Sequence, residues 1–260
     1  MPLEYIIVAL VALFASGLTL FSGFGLGTVL MPVLAVLFPL PVAIAATAVV
    51  HLANNVFKLF LIGRHANWRI VIRFGIAAGL AAVAGAYALS LLSNLPVVAS
   101  YELLGEVREI HAIQLAIGGL IIGFAFLELS PKIAALAFPP RFLIAGGLLS
   151  GFFGGLSGNQ GALRAAFLIR AGLDKKAFVG TSVVTAIIVD TVRITVYGRA
   201  FQLGSISGDV ADMVVVAIVA AFLGAYIGVR LLEKVTLRFM QLVVAALMIV
   251  IGSGLVSGLL

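Results

Sequence analysis

GGLLSGFFGGLSGNQGALRAAFLIRAGLDKKAFVGTSVVTAIIVDTVR, residues Gly146 to Arg193, decides how this chain folds. Its first apolar run is cut at Gly155-Leu156-Ser157-Gly158-Asn159-Gln160-Gly161 and resumes over Ala162 to Ala171. The chain then turns at Gly172-Leu173-Asp174 and enters a second apolar run that holds Asp190 and Arg193. Unwound backbone persists at hydrocarbon depth only where protein or a water-filled cavity satisfies its N–H and C=O groups. The interruption is therefore a candidate site, and a weaker copy of the same arrangement begins at Ser16.

The rest of the chain requires a bilayer. Of its 260 residues 63% are hydrophobic and 10% charged, with a mean hydropathy of +1.27. That leaves too little polar surface to cover a water-soluble globule. Apolar runs of about 20 residues, the length of a membrane-spanning helix, recur along almost the whole sequence. The net charge of +6 comes from Lys and Arg scattered through short loops. This is the pattern of cytoplasmic loops and not of a nucleic-acid-binding face. The absence of Cys excludes disulfides and Cys-bound metal. There is no HExxH, no pair of catalytic carboxylates and only three scattered His, so neither an enzyme nor a metal or cofactor is expected. Met1 to Tyr5 lacks a basic signal-peptide region, and the first run is expected to stay as a helix.

Taken in order, an apolar run over Leu3 to Phe21 meets Ser22-Gly23-Phe24-Gly25-Leu26-Gly27. A short helix over Thr28 to Phe38 follows, too short to cross a bilayer alone. Pro41 to Ile62 can span, and its polar residues Thr47, His51, Asn54, Asn55 and Lys58 are spaced to share one helical face that must look inward. The basic loop Gly63 to Arg69, with Trp68 at the interface, marks the cytoplasmic side. Ile70 to Leu92 returns across the membrane. Ser93 to Ile110, with Glu102, Glu106 and Glu109, is an acidic loop placed outside. His111 to Glu128 crosses back to a cytoplasmic linker over residues 129–141 that carries Lys132 and Arg141. The second half repeats the plan: a helix over Phe142 to Leu156, a break over Ser157 to Gly161, a short helix over Ala162 to Ala171, then spans over Lys175 to Tyr197, Ser207 to Leu232 and Thr236 to Leu260.

Sliding the chain on itself by 135 positions pairs Gly23 with Gly158, Thr47 with Ser182, Asn55 with Asp190, Lys58 with Arg193, and Gly63-Arg64 with Gly198-Arg199. A shift of 139 superposes Gly85-Ala86-Tyr87 on Gly224-Ala225-Tyr226. The expectation is thus an all-α integral membrane protein of two repeats, residues 1–128 and 142–260, each a broken-helix hairpin plus three transmembrane helices. A hairpin that leaves on the side it entered gives each half an odd number of full crossings, which makes the halves inverted. Interrupted segments in corresponding positions of inverted halves are the sequence mark of a secondary transporter's binding site near the midplane.

Each short helix begins after a glycine-rich break, so its free N–H groups and partial positive end point inward, which suits an anion. The candidate ligands are Ser22, Gly23, Gly25, Gly27 and Thr28 from the first break and Ser157, Gly158, Asn159, Gln160 and Gly161 from the second. Arg164, Lys58 and Arg193 supply charge, with Asn55 and Asp190 beside them. His51 is the candidate proton relay, set against the plainer role of a hydrogen-bonded interior residue. Two readings stand for Lys58 and Arg193, facing a cavity or snorkelling to the headgroups. Asp190 and Arg193, three residues apart, also fit an intrahelical ion pair. Gly85 and Gly224 suit close helix packing. A small anion, the bilayer, a coupling proton and a second copy of the chain are the partners admitted; nucleic acid is not.

With these features in hand, the chain resembles the sulfite exporter TauE/SafE family of membrane transporters over almost its whole length. The resemblance rests on Ser22-Gly23-Phe24-Gly25-Leu26-Gly27 followed by Met31-Pro32, on the span Pro41 to Ile62, and on Gly158-Asn159-Gln160-Gly161-Ala162-Leu163-Arg164 with Gly180-Thr181-Ser182. The family often carries a further glycine run and a proline in the second break, where this chain has Asn159-Gln160 and Ala165-Ala166. The resemblance implies a multi-pass carrier of the bacterial inner membrane that exports small sulfur-containing anions such as sulfite or sulfonates. An anion channel, or a carrier of another oxyanion or organic acid, is the alternative; a cation carrier would want more inward carboxylates.

Overall fold

The computed structural model describes residues 2–22, 25–130, 137–200, 208–231 and 237–260. Gly23, Lys132 and Lys234 lie outside the described residues. Ten helices and one β-hairpin make up the described chain. The first half holds α1 (Pro2–Ser22), α2 (Gly27–Leu37), α3 (Leu40–Ile62), α4 (Trp68–Ser93), β1 (Val97–Leu103), β2 (Glu106–His111) and α5 (Ala112–Leu129). The second holds α6 (Leu143–Ser157), α7 (Gly161–Leu168), α8 (Lys175–Ala200), α9 (Gly208–Leu231) and α10 (Leu237–Val256).

The expected helices are present with ends moved by a few residues. Four are long and apolar enough to cross a membrane: α3 with the turn after it, α4, α8 and α9. α5, at 18 residues, rises about 27 Å at about 1.5 Å per residue, just under the thickness of a hydrocarbon core of about 30 Å. Large apolar side chains such as Phe60, Leu80, Leu91 and Val250 are exposed around the bundle, as lipid-facing residues should be. Trp68 stands exposed at the start of α4 beside Arg64 and Arg69.

The segment Ser93 to Ile110 is not a loop, as its charges suggested, but a hairpin. β1 and β2 pair antiparallel from Val97↔His111 to Leu103↔Glu106. Leu104 and Gly105 form the turn with φ of 55° and 82°, the positive pair that a two-residue hairpin connection requires. Tyr101 Oη donates to Ser257 O at 2.6 Å, which ties the hairpin to the end of the chain.

Three long interfaces hold the bundle together, and small residues make each of them close. α6 lies along α4, with Gly147, Gly151 and Gly155 against the Phe74, Ala78 and Ala82 carbonyls, and with Gly85 of α4 against Phe152 O. α1 lies along α9, where Gly224 meets Leu13 O and Gly228 meets Gly17. α5 lies along α10, with Gly118 against Gly252 O. Without a hydrophobic drive between helices in lipid, such backbone approach is what association rests on. α3 and α8 cross in the middle. Each also packs on a helix of the other half, α3 on α9 through the stacked Phe57 and Phe222 rings and α8 on α4.

Candidate functional site

The polar stripe on α3 faces inward: Thr47, His51, Asn54, Asn55 and Lys58 are all buried. Neither Lys58 nor Arg193 snorkels, since both are buried within the bundle. The described part of the first break starts at Gly25, whose φ of 83° is open to glycine at no steric cost. Its carbonyl accepts from Thr28 Oγ1 at 2.9 Å. The second break is Gly158, which ends α6 in the left-handed conformation, followed by Asn159 and Gln160. The two breaks meet: a Cβ placed on Gly27, the first residue of α2, would lie 3.7 Å from Gly158 O.

Beside this junction is a cavity lined by Gly25, Leu26, His51, Asn55, Lys58, Arg164, Phe178, Val179, Ser182 and Val183. It offers ≈ 30 Å³ to the centre of a water-sized sphere, where about 10–15 Å³ admits one water. It has room for a few heavy atoms. The lining runs from the middle of α3 toward the face that carries Arg64, Arg69, Arg170, Lys175 and Lys176, all exposed.

Lys58 and Arg164 bring two cations to the wall. Among the described residues neither has a carboxylate within ion-pair reach. Among the described residues Lys58 Nζ has the Ser16 carbonyl, at 3.4 Å, and Arg164 Nη1 is buried without a hydrogen-bond partner. Removing an ion from water costs several kcal/mol unless a partner offsets it. Two such charges side by side, unneutralised, mark a place prepared for negative charge.

Behind the wall lies a second cluster. Arg193 Nε is 3.0 Å and Nη2 2.8 Å from Asp190 Oδ1, while Asp190 Oδ2 is 2.6 Å from His51 Nδ1. Gln160 Nε2 reaches Asp190 Oδ1 at 3.5 Å, and Asn55 Nδ2 lies 3.4 Å from Oδ2. Arg193 Nη1 points at the second break, where it lies 3.4 Å from Gly154 O and where a Cβ on Gly158 would meet it. Arg193 is thus the cation bound to Asp190, and it does not line the cavity.

The sequence-level candidates therefore divide. Gly25, His51, Asn55, Lys58 and Arg164 stand together on the wall. Gly27, Thr28, Gly158, Gln160, Gly161, Asp190 and Arg193 form the layer behind it or the junction of the breaks. Ser157 Oγ is turned back onto Phe153 O at 3.1 Å. Asn159 is buried with both side-chain amide atoms unpartnered. Ser22 ends α1, and nothing further is described of its side chain. The wall residues not singled out beforehand are Leu26, Phe178, Val179, Ser182 and Val183. Ser182 carried a signal, since it pairs with Thr47 in the internal repeat and precedes Asp190 by eight residues, close to the helical face period.

Fold and site together define an integral membrane protein that passes the bilayer several times and encloses a small chamber with excess positive charge. The chain belongs to the sulfite exporter TauE/SafE family, whose model matches residues 7–255. It is a membrane protein of a transporter family, one that carries sulfite or related anions. No curated protein matches the chain.

Proposed function

We propose that the chain is a secondary transporter of the bacterial inner membrane that moves sulfite, or a sulfonate of similar size, by alternating access around the α3–α8 cavity. The observation that carries this reading is the burial of Lys58 and Arg164 on one cavity wall with no carboxylate among the described residues to neutralise them. The cluster of Lys58, Arg164, Arg193 and Asp190 has three cations to one carboxylate, so the chamber retains positive charge after its internal pairing. A compact oxyanion suits the small volume better than a long organic sulfonate.

The helix pairing supports two related halves. α4 on α6 and α1 on α9 exchange under the internal repeat, while α3 on α8 and α5 on α10 each map onto themselves. Relative rocking of such halves would expose the central cavity to each side in turn. The cavity reaches toward the basic loops, which the charge rule assigns to the cytoplasm, and this supports loading from inside. Export of an anion is favoured by an inside-negative potential by about 2.3 kcal/mol per charge per 100 mV.

Proteoliposomes with labelled sulfite test the reading. The intact protein should move the anion, and Arg164→Gln and Lys58→Met, each shown to be folded, should lower the rate at least tenfold. Unchanged rates in both variants would take the cavity out of the transport path.

A further inference from the structure

His51 stands between the cavity and the buried ion pair. Its Nδ1 lies 2.6 Å from Asp190 Oδ2, while a Cβ on Gly25 would lie 3.4 Å from its Nε2, and Gly25 and His51 both line the cavity. An ionised carboxylate only accepts, so the proton on Nδ1 is needed for that contact whatever the state of the ring. The proton that can come and go is the one on Nε2. Asn55 Nδ2 lies beside the ring, 3.2 Å from Nδ1 and 3.4 Å from Nε2, and as a donor it offers nothing to a proton on Nε2. Among the described residues a protonated Nε2 has no acceptor until an anion enters the cavity.

We infer that the cavity takes its anion together with one proton, and that His51 Nε2 carries that proton; this rests on the anion-carrier reading above. Among the described residues the charges facing the ring are Asp190 and Arg193 from α8, Arg164 from α7 and Lys58 from α3 itself. α2 holds no titratable residue, and Asp209, Asp212 and Tyr226 of α9 are exposed. Asp190 attracts a proton to the ring and the three cations repel it. An anion lodged beside Lys58 and Arg164 offsets that repulsion and accepts the new N–H, so its arrival favours protonation. By linkage, protonation favours the anion to the same degree. The proton comes from water in the cavity, forms the Nε2–H bond, and returns to water when the anion leaves. Doubly charged sulfite would then cross with one net negative charge, which halves the pull of the membrane potential.

Isothermal titration of the purified protein with sulfite, in buffers of different ionisation enthalpy at mildly alkaline pH, counts the protons taken up on binding. The intact protein should take up close to one per anion. His51→Gln should bind more weakly and take up close to none. Should that variant fail to fold, Asp190→Asn should likewise lose most of the uptake. Binding by the intact protein without proton uptake would overturn the inference and leave the anion site standing. Full uptake retained in either variant would place the proton on the sulfite itself and overturn it equally. No binding at all would remove the anion site, and the inference with it.

Discussion

α3 and α8 lie in different halves of the chain, and each carries a buried cation, Lys58 and Arg193, 135 positions apart. They are used differently. Arg193 is held by Asp190 four turns after the start of its helix and braces the second break at Gly154 and Gly158. At the position matching Asp190, α3 has Asn55, which cannot neutralise anything, and Lys58 is left to the cavity with one carbonyl at 3.4 Å. One half thus spends its cation on its own structure and the other keeps it for an incoming ligand. The halves differ here by a carboxylate at Asp190 against an amide at Asn55, and by the packing of Gly154 and Gly158 on the Arg193 guanidinium.

The largest effect should come from breaking the structural side. Arg193→Met leaves Asp190 buried without its principal partner, and removing one member of a buried ion pair costs about 3–5 kcal/mol. Thermal unfolding in detergent should show a large drop. Lys58→Met removes a charge that no carboxylate among the described residues compensates, and it should leave the unfolding temperature unchanged or raise it. Equal destabilisation by the two substitutions would abolish the distinction between the halves.

The ligand side should respond in the opposite sense. Lys58→Met and Arg164→Gln should each weaken sulfite binding by roughly 10²-fold, since truncating one partner of a desolvated charge pair costs about 2–5 kcal/mol. Direct titration of the folded variants measures this. A loss confined to Arg164→Gln would move the binding role wholly to the second half and sharpen the comparison in its favour.

Much of this arrangement was legible in the residues. Apolar length gave the helices, and the glycine runs gave both interruptions, because hydrocarbon allows irregular backbone in so few places. The inward stripe on α3 followed from spacing alone. Two features were not legible. The hairpin over Val97 to His111 was hidden by Glu102, Glu106, Arg108 and Glu109, which read as a solvated loop; the strand-forming Val97, Val98, Tyr101 and Val107 sit between them around a Leu104-Gly105 turn, not the commoner Asn-Gly. Nor could spacing say whether Arg193 would face a cavity or Asp190. Its i, i+3 partner lies on the same helix, but only the packing of Gly154 and Gly158 against the guanidinium closes the space on that side. The cavity consequently lies beside the first break and the early turns of α8, and not evenly between the two.

The smallest effect tests whether the halves are related at all. Gly85 packs on Phe152 O and Gly224 on Leu13 O. Gly85 and Gly224 are 139 positions apart, and so are Leu13 and Phe152. Under the shift of 135 that relates α1 to α6 the counterpart of Phe152 is Gly17, so Gly224 meets a carbonyl one helical turn from it, at Leu13. An added methyl would overlap backbone at both places, which a flexible side chain cannot relieve, so Gly85→Ala and Gly224→Ala should each cost about 1–3 kcal/mol. The informative quantity is the difference between the two losses. Thermal unfolding of the pair should give shifts that agree closely, because an added Cβ would lie 2.0 Å from a helix carbonyl at each site. A large loss at one glycine and none at the other would mean that the two helix approaches are not equivalent, and the halves could then no longer be compared through them.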